Sequence, residues 1–393
     1  MIRLMLLLSL LTAFPPLSTA MYLPAIPTLV RIWDKPLYLV NLTLVIFFAV
    51  YCVFILIYGP LSDKYGRKPP LIAGITIYIF SCFLCALSIN VYMLIFARVF
   101  QAAGAASAAT IALAIAKDRF PPNQREKVLS YIGVIIALAP MLSPMVGSLI
   151  LIYFKWRWIF IVQAFFGIIS IFFVSFMAES NLDKKDVSIR QLTKGFKNTL
   201  KNKNFTSLVI CFSMLSLPIF AFTAASSFIY INIFNIKETM FSLYFGINAV
   251  CLMAGSLTCA RLGYKIGTFR LINLGILGGI LGGILMLLKL FEGPLQFLIP
   301  MAVISYTFGL SRPPANNLIL EQVTQDTGTA SSLMIFSYFI LGAISMAVVS
   351  LEWQSKITYI GSLATLCGLF SFILWCFIKP QIIANQKSIN SRN

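Results

Sequence analysis

The sequence contains no histidine. It therefore lacks the commonest metal ligand and the side chain whose ordinary pKa lies nearest neutrality, which excludes histidine-built zinc centres and histidine acid–base catalysis. Charge is scarce as well: Asp, Glu, Lys and Arg make up 11% of the 393 residues, against about 25% in soluble domains. Acids are the scarcest, 12 beside 30 lysines and arginines. All of them (Asp34, Asp63, Asp118, Glu126, Glu179, Asp183, Asp186, Glu238, Glu292, Glu321, Asp326 and Glu352) fall in predicted loops or at helix ends. No apolar stretch carries a carboxylate or pairs a nucleophile with a base, so a membrane-embedded enzyme is disfavoured. The eight cysteines lie inside apolar runs without metal-site spacing and read as packing residues. Neither a metal nor an organic cofactor is implied.

What fills the sequence is apolar: 59% of the residues are hydrophobic. A soluble fold of this length has no means of hiding so much apolar surface, and a bilayer is the natural solvent. Windows long enough to cross it fall near 4–30, 38–58, 71–89, 92–115, 128–152, 158–178, 206–233, 239–260, 271–289, 294–318, 329–350 and 357–378, twelve in all. Residues 1–20 have the look of a secretory signal, but the apolar character continues to Val30, and they are taken as an uncleaved first helix. The longest polar connection, Glu179 to Asn204, carries Lys184, Lys185, Arg190, Lys194, Lys197, Lys201 and Lys203 and divides the spans six plus six.

The net charge of +18 does not imply nucleic acid, because the cations are spread through short loops with no basic tract among exposed aromatics. With both termini on the cytoplasmic side, most lysines and arginines fall in cytoplasmic segments, as the positive-inside rule requires. Trp33, Trp156, Trp158 and Trp353 then lie at outer span ends, where an indole keeps its N–H in the wet interface.

Three spans carry features that packing alone explains poorly. Span 4 contains Arg98 and Gln101; a guanidinium in hydrocarbon is costly, so Arg98 is expected to face the bundle interior and find a partner. Span 5 contains Pro140, Pro144 and Gly147, two backbone interruptions followed by a site of close helix approach. Span 10 contains Arg312, Pro313, Pro314, Asn316 and Asn317, where the prolines are expected to break the helix and the amides to meet freed backbone groups or cargo. Tyr22, in span 1, is a candidate aromatic wall for a ligand. Between spans 2 and 3, Gly59-Pro60-Leu61-Ser62-Asp63-Lys64-Tyr65-Gly66-Arg67-Lys68 reads as a charged loop with a turn glycine at each end.

That loop resembles the signature between helices 2 and 3 of the major facilitator superfamily, G-x-L-x-D-x-x-G-R-[KR], at all six fixed positions. Arg261-Leu262-Gly263-Tyr264-Lys265-Ile266-Gly267 sits where the second half would repeat it, with Gly267 aligned to Gly66 and Tyr264 in the place of Asp63. Arg98-x-x-Gln101-x-x-Gly104 is similar to the superfamily's second motif, and the Pro140, Pro144, Gly147 helix to the motif of its antiporters. Pro15–Thr19, Met21–Pro27, Trp156–Phe160 and Gly328–Ser332 together resemble the Bcr/CflA drug-efflux subfamily.

The resemblance implies an all-α integral membrane protein of twelve transmembrane helices in two pseudo-symmetric six-helix bundles, residues 1–180 and 205–393, joined by a cytoplasmic loop at 181–204. It implies a monomeric bacterial inner-membrane exporter of drug-like molecules, working by alternating access in exchange for protons. Gly59, Asp63, Gly66, Arg67 and Lys68 would form its gating loop. One departure matters: the subfamily's first span reads S-T-D-M-Y-L-P, and the acid's place is taken here by Ala20. Arg98 thereby loses its expected counter-charge. Three explanations stand: a helix-end acid such as Asp34 or Glu321 reaches the cavity, coupling has been lost, or Arg98 with Arg312 binds an anionic substrate such as a siderophore directly.

Overall fold

The computed structural model describes the backbone of residues 2–120, 122–177, 189–323 and 327–390, and the side chains within 4–116, 118–120, 138–177, 195–323 and 328–383. Among the described residues it is helical throughout, with no strand. The first span is interrupted: α1 (Ile2–Thr12), α2 (Phe14–Ala20), a 3-10 turn (Leu23–Ala25) and α3 (Ile26–Trp33) follow one another. Pro15, Pro16, Pro24 and Pro27 each remove a backbone donor from this stretch, which is why it does not run as one helix. Then come α4 (Leu37–Tyr65), α5 (Lys68–Ala86), α6 (Val91–Arg119), α7 (Pro122–Tyr153) and α8 (Arg157–Ser175).

The polar connection holds a helix of its own, α9 (Ile189–Lys201). The second half runs α10 (Lys203–Met214), α11 (Leu217–Phe228) with a π turn over Ile229–Ile233, α12 (Glu238–Ile266), α13 (Thr268–Leu288), α14 (Leu295–Glu321), α15 (Thr327–Ser350) and α16 (Lys356–Asn390). Ten segments among the described residues are long and apolar enough to cross a bilayer. Of the two remaining windows, α7 shows an apolar stretch over Leu138–Tyr153, where its described side chains begin, and α14 is diluted by Arg312, Asn316, Asn317 and three prolines.

Two expectations change here. Gly59 is not at a turn: α4 continues through Gly59 and Pro60 to Tyr65, and a β-carbon at Gly59 would meet nothing within 4 Å. The reversal is made by Gly66 alone, at φ 92° and ψ 166°, a region L-residues avoid. Nor do the span 10 prolines break their helix, since α14 runs unbroken through Pro313 and Pro314. Pro313 deprives the Gly309 carbonyl of its helical donor, and the Ser256 hydroxyl donates to that carbonyl instead (3.1 Å).

The weak internal repeat has a backbone counterpart. Gly267, between α12 and α13, adopts φ 88° and ψ 146°, nearly the conformation of Gly66 between α4 and α5. Both reversals require a positive φ that residues with a side chain rarely adopt.

The helices group into two compact units. One comprises Met1–Ser188, Thr223–Ala249 and Met346–Glu352; the other comprises Ile189–Phe222, Val250–Ser345 and Trp353–Asn393. In the first, Gly104 of α6 packs so closely on α5 that a β-carbon there would lie 2.6 Å from the Gly74 carbonyl. Small residues of this kind let backbones approach where lipid offers no hydrophobic drive between helices. The same unit holds the ends of α11, α12 and α15 by neutral hydrogen bonds. Asn41 donates to the Ala224 carbonyl (3.0 Å) and the Ser350 hydroxyl (2.8 Å), and Ser242 donates to the Pro144 carbonyl (2.9 Å). The second unit centres on Phe205, Leu208, Ile272, Ile276, Leu318 and Trp375. There the Trp375 indole donates to Asn273 Oδ1 (2.7 Å), so the buried N–H is satisfied.

Candidate functional site

Arg98 and Gln101 stand three residues apart on α6, hence on one face, and both are fully buried. Arg98 Nη1 donates to Gln101 Oε1 (2.7 Å) and to the Ser18 carbonyl (2.8 Å). Gln101 Nε2 donates to Gln163 Oε1 (2.8 Å), and Gln163 Nε2 donates in turn to the Leu17 carbonyl (3.1 Å). These carbonyls are open because of the break in span 1. The Tyr22 amide turns back to Thr19, instead of continuing the helix to Ser18. Side chains from α6 and α8 take their place.

Aromatic faces surround the charge. The Arg98 guanidinium carbon lies 4.3 Å from the centroid of Tyr22, 5.1 Å from Phe160 and 5.6 Å from Phe47. Desolvated cation–π contacts contribute about 2 kcal/mol each at best, less than a buried carboxylate would. No carboxylate is in salt-bridge contact with Arg98 among the described residues. Asp34 caps α3 in the left-handed conformation and is exposed, and Glu321 is exposed at the end of α14, so the helix-end acids do not supply the partner. Arg98 Nε and Nη2 are buried without a hydrogen bond. The site thus presents a fixed positive charge with two unused donors, fit to hold an acceptor-rich or anionic group.

Tyr22, expected as a ligand wall, is fully buried against Arg98 and forms a hydrogen bond with Thr43 Oγ1 (3.2 Å). Ala20, in the place of the missing acid, is buried at the end of α2, two residues beyond the carbonyl that holds Arg98. Phe47, Phe160, Gln163 and Ser18 belong to the same cluster and were not among the expected site residues, although Ser18 and Phe160 lie in stretches that carry the subfamily resemblance. A buried glutamine in an otherwise apolar α8 was the one available signal.

Gly147 brings α7 against the same break. A β-carbon there would sit 2.1 Å from the Met21 carbonyl oxygen. Pro140 and Pro144 lie on the same helix, and the Pro144 carbonyl accepts from Ser242.

At the Gly66 turn, Arg67 is buried and pairs with Asp63, donates to Asp118 Oδ2 (2.8 Å) and donates to Ser62 Oγ (2.6 Å). Asp118 comes from the last turn of α6, so Arg67 ties the reversal to span 4. Lys68 Nζ donates to the carbonyls of Ser175 (2.7 Å) and Met177 (3.0 Å), capping the end of α8 where the helix dipole is negative.

Arg312, Asn316 and Asn317 belong to the other unit. Arg312 is exposed, its guanidinium 4.3 Å from the Tyr338 ring centroid and 5.7 Å from Phe308. Asn316 is half-buried and Asn317 exposed.

Among the described residues, an all-helical arrangement of apolar spans around a buried cation defines a polytopic membrane protein. The profile of the Major Facilitator Superfamily matches residues 8–346, and the chain belongs to that family. It is 29% identical over 353 residues to the uncharacterized MFS-type transporter YdgK of Bacillus subtilis, covering 88% of each chain. It is 26% identical to a bicyclomycin resistance protein homolog of Haemophilus influenzae, covering 96% of both, and 25% identical to the multidrug transporter MdfA of Yersinia pestis, covering 84% of this chain and 81% of the relative. Among solved structures, the D-xylose–proton symporter superposes with a TM-score of 0.73 at 16% identity, covering 94% of this chain and 97% of that one. A point mutant of the nucleoside transporter NupG superposes at 0.75 and 12% identity, covering 96% and 98%. Both likenesses concern the fold.

Proposed function

We propose that the protein exports small drug-like molecules across the bacterial inner membrane by alternating access, as a monomer with both termini cytoplasmic. Whole-length similarity to relatives named for bicyclomycin resistance and multidrug transport supports the substrate class. Protons are the counter-ion that the family resemblance implies. Their carriage is assigned to a group outside the Arg98 cluster, because that cluster has neither an acid nor a histidine. The gating role falls to Gly59, Asp63, Gly66, Arg67 and Lys68, supported by the ties from Arg67 to Asp118 and from Lys68 to the end of α8. Bending for alternating access falls to the Pro140, Pro144 and Gly147 helix.

The observation that carries the reading of the site is Arg98, fully buried, ringed by aromatics and short of two hydrogen bonds. It also favours a second reading, export of an endogenous anion such as a polycarboxylate siderophore. Proteoliposomes enclosing a pH-sensitive dye decide between them. Proton movement on adding chloramphenicol supports drug–proton exchange. Transport of a citrate-type siderophore and not of chloramphenicol supports the second reading. Movement of either substrate without protons removes the antiport label.

A further inference from the structure

Lys155, Arg157 and Glu238, together with Thr28 of α3, line one cavity of about 420 Å³. The charges are opposite, yet among the described residues none of the three forms a salt bridge, with another of the three or with any other group. The Arg157 guanidinium stacks 4.5 Å from the Trp156 centroid and donates to the Ser88 carbonyl (3.0 Å), which holds it in place without neutralising it. Lys155 is exposed. Glu238 Oε1 accepts only a long hydrogen bond from Thr28 (3.4 Å). Opposite charges kept apart across a cavity complement a ligand carrying the inverse pair, an anionic group next to a cationic one.

The rest of the wall is apolar: Ile32, Leu151 and Phe154, with Ile32 57% and Phe154 54% exposed. Trp33 and Trp156 pack edge to face beside it, ring centroids 5.5 Å apart. Indoles gather at the depth of lipid headgroups. The volume lies within the about 300–1,000 Å³ of small-ligand sites.

We propose that this cavity binds the headgroup of a zwitterionic phospholipid, phosphatidylethanolamine. The phosphate lies against Lys155 and Arg157, the primary ammonium against Glu238, and an acyl chain runs along Ile32 and Phe154. Phosphatidylglycerol offers no cation to Glu238, and phosphatidylcholine offers no N–H. Glu238 opens α12, from the second half of the chain, whereas the other walls come from the first half. A bound headgroup therefore favours the state in which the start of α12 lies against α3 and the end of α7. The inference does not depend on which compound is transported.

Native mass spectrometry of the purified full-length protein tests it, with the three phospholipids supplied in equal amounts. Wild type is expected to retain phosphatidylethanolamine over phosphatidylglycerol about fivefold, the worth of one partly screened ion pair. Glu238→Gln, whose amide oxygen can still accept from Thr28, abolishes that preference while keeping both lipids. Lys155→Ala weakens both about equally. Equal retention of the two lipids by wild type overturns the proposal, as does a preference that survives in Glu238→Gln. Displacement of the lipid by free phosphoethanolamine at equal concentration assigns the site to a soluble zwitterion and overturns the lipid assignment. Both variants are compared with wild type by circular dichroism, so that a folding defect is not read as lost binding.

Discussion

The backbone of Gly147 lies against the carbonyl of Met21, so closely that a β-carbon at 147 would be 2.1 Å from the oxygen. The contact exists because span 1 is broken there. Ala25 turns its N–H to Tyr22 in place of Met21, and the open Met21 carbonyl meets a position of α7 that has no side chain. Gly147→Ala is expected to lower stability by about 1–3 kcal/mol and transport at least tenfold, read by melting in detergent and by uptake in vesicles. Gly59→Ala is the control. Nothing lies within 4 Å of its β-carbon position, so it should melt no lower than wild type.

Arg98 tests charge against structure. Removing a buried, unpaired charge recovers its desolvation cost, which offsets the about 1–3 kcal/mol for each of the Ser18 carbonyl and Gln101 Oε1 left without a donor, so Arg98→Met is expected to insert and melt near wild type while losing transport. Arg98→Lys keeps the charge but loses the planar guanidinium face over Tyr22 and the two spare donors Nε and Nη2. A loss of about tenfold or more is expected there too. Wild-type transport of an anionic substrate by Arg98→Met would end the anion reading.

Gln163 links α8 to the break in span 1. Gln163→Leu leaves the Leu17 carbonyl and Gln101 Nε2 without these bonds, at a cost of about 1–3 kcal/mol for each buried group left unsatisfied. The expected result is a lower melting temperature together with a transport defect. Gln163→Asn, too short to reach both partners, should behave alike.

Around Arg67 the two acids are unequal. The Asp63 side chain is 40% exposed and that of Asp118 13%. An exposed pair is worth about 1 kcal/mol or less, so Asp63→Asn should impair transport while leaving insertion and stability near wild type. Asp118→Asn should destabilise measurably. Melting curves of both, alone and combined with Arg67→Gln, separate the two contributions. Normal export by Asp63→Asn would count against its gating role.

Ten of the twelve spans, the turn glycine at Gly66 and the inward face shared by Arg98 and Gln101 were legible in the sequence, for local reasons. Length and hydropathy define a span, a one-residue reversal demands glycine, and residues three apart share a helical face. The Gly59 turn and the broken span 10 were misread because local signals for glycine and proline say nothing of what supports the helix. In α14 that support is the Ser256 hydroxyl, from another helix altogether. The sequence alone also decided that Arg98 would have no acid in its own span, since Ala20 and every apolar stretch lack one.

Only the tertiary structure decided what stands there instead: Tyr22, Phe47 and Phe160, from three different spans. With 34 phenylalanines and 15 tyrosines in the chain, ring content carries no address. The outward face of a membrane helix is as apolar as its inward face, so periodicity does not tell which ring meets lipid and which meets a buried charge.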